Sequence, residues 1–193
     1  MFSLRTYSMS EKKSILYICY DGLMEPLGQS QVFEYLRDLA VSPDLKFTLV
    51  TFEKKADWKN RGKRNMAYRQ VEQAGIKWIP LRYHKKPTLP ATFFDVMVGF
   101  FVCGWVLLKD RQTIMHVRSY VPAVMALALK KLLGNRFIFD MRGFWPDEKV
   151  DAGVWRQESI VYRLTKWFEK SFLLEADTVV SLTHAGVAAM QRF

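Results

Sequence analysis

Short runs rich in β-branched and aromatic residues alternate along this chain with longer stretches of helical periodicity, and that alternation limits the folds open to it. The first run, ILYICY (15–20), stops at Asp21-Gly22. After the polar break DGLMEPLGQSQ, residues Val32, Phe33, Leu36, Leu39 and Ala40 recur at the spacing of a helix packed on a sheet. LKFTLVTF (45–52), IKWIPL (76–81), TIMHV (113–117), RFIFDM (136–141) and TVVSLT (178–183) read as further strands. Helices are expected after Lys54, closed by Gly75, and from about Thr92 to Lys109. Another has Pro122 near its first position, Lys130 and Lys131 in its last turn and Gly134 past its end. A long helix is expected from Trp155 to about Ala176, and one more begins at His184. RGFWPDEKVDAG (142–153) reads as a loop. Such alternation gives an α/β fold with a parallel sheet, of about six or seven strands, covered by helices on both faces.

In such sheets ligands bind outside the carboxyl ends of the strands. The loops at that edge carry Gly22 to Gly28, Glu53, Arg82 with His84, His116 with Arg118, Arg142 to Asp147, and Thr183 with His184. A strand passing through glycines into a helix N-terminus leaves N–H groups unpaired at the positive end of a dipole, so the first loop is a candidate anion site. Five residues separate Gly22 from Gly28, which is not the G-x-G-x-x-G of dinucleotide binders, and the two are equally readable as turn residues. Histidines and arginines gathered on one rim favour an anionic ligand.

The chain has 193 residues, half of them hydrophobic, enough for one domain with a real core. Lys and Arg number 29 against 19 Asp and Glu, a net charge of +10, which favours anionic partners such as sugar phosphates, nucleotides, acidic lipid or nucleic acid. Cys19 and Cys103 lie inside apolar runs with no C-x-x-C, as buried thiols of a reducing compartment would. The opening MFSLRTYSMSEKK lacks an apolar core, so a cytoplasmic location is expected. FFDVMVGFFVCGWVLL (93–108) carries Asp95, Gly99 and Gly104 and reads as a buried or membrane-grazing helix. Lys54 to Arg69 interleaves seven cations with Trp58 and Tyr68; it reads either as a solvated basic face or as a surface for acidic phospholipid. No RNP-like or helix-turn-helix pattern accompanies it, which argues against nucleic acid.

Several chemistries find no support. His84, His116 and His184 form no H-x-x-x-H or H-E-x-x-H pair, so no metal is expected. There is no G-x-S-x-G elbow, and Ser30 and Ser119 sit at helix starts where N-capping accounts for them. Glu53 follows the second strand, where a dinucleotide's ribose would be bound, but the glycine spacing is wrong for that ligand.

YDGLMEPLGQSQVFEYLRDLA, HVRSYVPAVMALALKK, FIFDMRGFWPDEKVDAG, the run with Tyr162, Glu169 and Ala176-Asp177, and VVSLTHAG together resemble the N-terminal half of glycosyltransferase family 4. The resemblance spans about residues 14–190, with several motifs in the right order. It implies a Rossmann-like half of the GT-B fold: residues 1–13 as an extension, 14–193 as the acceptor-side domain, and a nucleotide-sugar domain that this chain lacks. It implies a retaining transferase using a nucleotide diphosphate sugar as co-substrate, without a metal, acting on a glycan or lipid-linked acceptor in polysaccharide biosynthesis. By the resemblance, Gly22, Gly28 and Gln29 belong to a loop approaching the donor diphosphate and acceptor. By the same resemblance His116 matches a histidine near the transferred sugar and is the catalytic candidate, while Arg118, Arg142, Gly143, Asp147 and His184 contact the acceptor or line the cleft. Arg118 stands where other members carry a second histidine, and could meet an acceptor phosphate. The chain alone is expected to be inactive, cytoplasmic or peripheral at the inner face of the cell membrane, with Lys54 to Arg69 as the membrane candidate. The alternative from another class is a stand-alone Rossmann-like module that binds a nucleotide or phosphosugar without catalysis.

Overall fold

Strand after strand pairs in parallel, and one sheet results. The computed structural model describes residues 12–111 and 114–191. Its strands are β1 (Lys13–Cys19), β2 (Leu45–Glu53), β3 (Lys77–Arg82), β4 (Ile114–Arg118), β5 (Arg136–Met141) and β6 (Thr178–Ser181). The helices are α1 (Pro26–Gly28), α2 (Glu34–Ala40), α3 (Lys55–Lys59), α4 (Arg61–Gln73), α5 (Thr88–Lys109), α6 (Tyr120–Leu133), α7 (Trp145–Asp151), α8 (Ile160–Glu175) and α9 (His184–Met190). A π-helical turn, Gln29–Phe33, joins α1 to α2 without a break in the rod. The expected extension 1–13 lies outside the described residues except for Lys12 and Lys13, and Lys13 opens β1; Thr113 also lies outside them.

Strand order is β3-β2-β1-β4-β5-β6. The chain builds outward from β1 in one direction, returns, and builds outward in the other. The point of return, between β1 and β4, is where open α/β sheets hold ligands.

Alternation along the strands divides the core in two. Leu16, Ile18, Met115, Val117, Phe137 and Phe139 face one way and are covered by α5, α6 and α8. Phe139 and Phe172 are fully buried with ring centroids 5.3 Å apart, and burying each such side chain contributes about 1.5–3 kcal/mol. Tyr17, Cys19, Leu49 and Trp78 face the other way, under Val32, Phe33, Leu36, Ala67 and Val71 of the first rod and α4. In register, Tyr17 stands beside His116, and Cys19 beside Arg118, which stands beside Asp140. The polar residues of β4 and β5 therefore share the α2 face.

Helix boundaries depart from expectation where side chains and acids decide them. The segment 142–153 is not a loop throughout: Pro146 in the first turn, with Asp147 and Glu148 near the positive helix end, supports α7. The helix expected from Trp155 begins at Ile160, because Ser159 Oγ accepts the Tyr162 N–H at 3.2 Å. Thr183 Oγ1 likewise accepts the Gly186 N–H at 3.0 Å, capping α9 and ending β6 at Ser181. Asn60 caps α4 and splits the basic stretch into two helices. Ser30 is not an N-cap, since the rod starts at Pro26 and Ser30 Oγ donates back to the Pro26 carbonyl at 3.0 Å.

Gly28 is a close-approach residue. A Cβ there would overlap the Gly22 carbonyl, whereas a Cβ at Gly62 in α4 meets only Asn60 Oδ1 at 3.5 Å. Gly28→Ala is expected to cost about 1–3 kcal/mol, and Gly62→Ala to leave stability unchanged or raise it by up to about 1 kcal/mol. Urea unfolding midpoints of the two variants check this, and equal midpoints would refute the close approach.

Candidate active site at the carboxyl rim of the sheet

The first loop is closed by its own carboxylates. Leu23 and Met24 N–H groups donate to Glu53 Oε1 and Oε2 at 2.7 and 3.2 Å, and the Gly22 N–H donates to Glu25 Oε1 at 3.3 Å. The expectation that glycines leave these amides unpaired for a phosphate is thus corrected: an internal anion already holds them. Glu53 is completely buried and also accepts from Thr51 Oγ1 at 2.6 Å, while Trp78 Nε1 donates to Thr51 Oγ1 at 2.8 Å. Burial pushes the Glu53 carboxyl above its ordinary value, and the bonds from Thr51, Leu23 and Met24 pull back against that rise. A chain of hydrogen bonds so ties β3, β2 and the β1 loop together. Gln29 closes the loop from the helix side, its Nε2 donating to the Leu23 carbonyl at 2.9 Å.

The cationic groups converge one strand further on. Arg118 Nη2 and Arg142 Nη2 both donate to the single oxygen Gln31 Oε1, at 2.5 and 2.6 Å. Gln31 sits in the π-helical turn, a distortion found often at functional sites. Asp140 faces Arg118 at 3.5 Å, so this group holds two guanidinium charges against one carboxylate. Burial pushes the Asp140 carboxyl up, opposed by the two arginines. His116 is buried beside Tyr17 and Tyr35, at ring-centroid distances of 4.7 and 6.0 Å. Burial first and the Arg118 charge second push its pKa down to about 4, so it is a neutral imidazole at pH 7. Among the described residues, buried His116 Nε2 and Arg142 Nε have no hydrogen-bond partner. The Tyr17 hydroxyl makes no well-formed bond either, although Arg118 lies close enough to bear on its ionisation.

Between β4 and α6, Ser119 has φ 71° and ψ −178°, a conformation usually reserved for glycine. Ser119 stands at the N-cap position, but its side chain makes no capping bond. Its N–H donates to the Asp140 carbonyl at 3.0 Å, so the strained residue locks Arg118 and Asp140 side by side.

The remaining predicted residues separate from this cluster. Asp147 accepts from Tyr162 Oη at 2.7 Å and Lys166 Nζ at 2.8 Å, tying α7 to α8. Lys166 also reaches buried Glu169, which accepts from Tyr120 Oη, whose second contact is the Gly143 carbonyl at 3.3 Å. Gly143 and Asp147, with Arg142, line a cleft of about 550 Å³ between α7 and α9. His184 is exposed at the start of α9. His84 lies elsewhere: its Nδ1 is 2.6 Å from Asp95 Oδ1, and Tyr20 Oη donates to Asp95 Oδ2 at 3.0 Å. No three His, Cys, Asp or Glu side chains are placed to hold a metal among the described residues. Sequence reasoning missed Gln31, Asp140 and Tyr17; the one signal was a carboxylate inside an otherwise apolar strand, FIFDM.

Several cations of Lys54 to Arg69 are engaged internally. Lys54 pairs with Glu25 at 2.5 Å and Lys63 with Asp57, while the Arg64 and Arg82 guanidinium groups lie 5.5 and 5.2 Å from the Trp58 ring centre. Lys55, Lys59, Arg61 and Arg69 are exposed.

The sequence profile described as glycosyl transferase 4-like domain matches residues 28–193. The chain belongs to this family. Comparison with curated protein sequences returns no match. MurG from Acinetobacter baumannii superposes with a TM-score of 0.51 at 11% identity, over 89% of this chain and 42% of the MurG chain. A UDP-glucosyltransferase from Polygonum tinctorium capable of glucosylating indoxyl gives a TM-score of 0.59 at 11% identity, over 96% of this chain and 50% of its own. At such identity the likeness is one of fold, the Rossmann-like half of a GT-B enzyme. The chain spans half or less of the length of these two structures.

The buried histidine of this glycosyltransferase domain makes stability depend on pH. The unfolded chain protonates His116 near its ordinary value of 6.5 and the folded domain only near 4. The stability tied to neutral His116 is therefore complete above about pH 6.5 and is lost as pH falls toward 4, by at most about 1.4 kcal/mol per pH unit. Unfolding free energies of wild type and His116→Gln, compared across that window, should converge as pH falls. A constant difference would show that His116 keeps its ordinary protonation in the fold.

Proposed function

We propose that this domain is the acceptor-side half of a retaining glycosyltransferase, which moves a sugar from a nucleotide-sugar donor to a glycan or lipid-linked acceptor. The observation that carries the reading is the meeting of Arg118 and Arg142 on one neutral oxygen, Gln31 Oε1, beside the partnerless Nε of Arg142 and Nε2 of His116. Two guanidinium groups on a neutral acceptor are poised to exchange it for a stronger one. A phosphate on the acceptor, or the diphosphate leaving the donor sugar, is such a group. Charge grows on that diphosphate as the glycosidic bond breaks, so fixed cations stabilise the transition state more than the ground state.

His116 takes part in this reading as a neutral hydrogen-bonding group. It would orient a sugar hydroxyl or ring substituent without adding charge. The Gly22 to Gln29 loop would border donor and acceptor as a wall held in place by Glu53, its shape mattering more than its amides. Most contacts to the nucleotide would come from a second Rossmann-like domain across the cleft.

The reading predicts that the 193-residue chain alone turns over no sugar nucleotide. Released nucleoside diphosphate is measured with uridine and guanosine diphosphate sugars, each with glycan and lipid-linked acceptors. Silence across the panel is expected, and turnover near the ordinary enzyme range, about 1 s⁻¹ or faster, would contradict the proposal.

A further inference from the structure

Helix α5 carries two opposed faces. Its inner face holds Cys103, Val106 and Leu107, all 3% exposed or less, against the sheet and α6. A Cβ on Gly99 would come within 2.5 Å of Met125 Sδ and 2.9 Å of Phe52 Cζ, so the helix sits as close to its neighbours as side chains allow. The outer face shows Phe94, Phe101, Trp105 and Leu108, each 54–68% exposed, at spacings of seven, four and three residues that keep them on one stripe. From Val96 to Leu108 there is no charged residue.

The rim of that stripe is cationic. Lys85 and Lys86 are exposed just before the helix, and Lys109 and Arg111 at its far end. The carboxylates nearby are spoken for: Asp95 is buried under His84 and Tyr20, and Asp110 pairs with Lys77 at 2.5 Å. Lys109 Nζ stands 4.4 Å from the Trp105 ring centre, an aromatic body with a charged tip reaching past it. Apolar stripe, aromatic ring near the end and cations at both ends form the pattern of a helix lying in the interface of an anionic bilayer.

We propose that the outer face of α5 is the membrane-contacting surface of this domain, with α5 in the plane of the bilayer interface rather than across it. The segment Pro90–Lys109 is long and apolar enough to span, with a mean hydropathy of 2.0. Spanning would strip Cys103, Val106, Leu107 and both glycines from the core they complete. Only the outer half is free to enter lipid. The α3–α4 surface covers the opposite face of the sheet, so it does not share this contact plane. The proposal does not depend on the chemistry at the rim.

Flotation of the whole chain with phosphatidylcholine vesicles, with and without about 30% phosphatidylglycerol, tests it. Wild type should float, and more strongly with the anionic lipid. The variant Phe101→Ser, Trp105→Ser, Leu108→Ser should lose about tenfold or more of its partitioning while keeping its melting temperature, since all three side chains are already exposed. The pair Lys59→Glu, Arg69→Glu should stay within about twofold of wild type. Unchanged flotation of the triple variant would overturn the proposal, as would loss of flotation in the charge-reversed pair. Sedimentation showing a wild-type dimer that the triple variant dissolves, with no vesicle binding by either, would overturn it in favour of a second copy of the chain.

Discussion

Glu53 determines what the rim of this sheet can offer. Its carboxylate lies buried at the end of β2 and takes the Leu23 and Met24 N–H groups that a strand-loop-helix turn otherwise presents to a phosphate. Placing a carboxylate out of water is unfavourable unless donors surround it, and Thr51 with the two amides supplies them. The result is a loop whose backbone is fixed from within, against which Gly28 can approach the Gly22 carbonyl. The Gly22, Leu23 and Met24 amides are therefore already engaged by carboxylates of the domain itself.

The guanidinium groups of the rim lie on the far side of β1 from Glu53. Arg118 and Arg142 come from the ends of adjacent strands, and Ser119 in a strained conformation holds the first of them beside Asp140. A further series of links, buried at Tyr120 and Glu169 and partly buried at Lys166 and Asp147, joins α6, α8 and α7. Removing Tyr120 would deprive buried Glu169 of a donor, so this pair holds α6 against α8 beside the loop after β5. Cationic groups held this way need no reorganisation to meet charge as it develops, which is the property the transferase reading asks of them.

Much of the fold was legible because its signals are local. Alternating β-rich runs and helical stripes located the six strands within a few residues, and the end signals around Pro122 and Gly134 bracketed α6. Misjudged elements turned on contacts between neighbours in a loop: Ser159 rather than Trp155 starts α8, and two acids in a first turn make α7 out of an apparent loop. The rim was half legible. Arginine and histidine at strand ends stood out, but the pairing of Glu53 with Leu23 spans thirty residues and leaves no pattern in either segment. A π-helical turn has no compositional mark, so Gln29 drew notice where Gln31, two residues on, is the group that both arginines touch.

The central claim is that anion affinity at this rim resides in two guanidinium groups and not in the amides of the first loop. Heteronuclear NMR reads both at once during a titration with inorganic pyrophosphate. The account predicts that the side-chain resonances of Arg118 and Arg142 move while the backbone amides of Leu23 and Met24 stay in place. Movement of the Leu23 and Met24 amides with the arginines unmoved would contradict it.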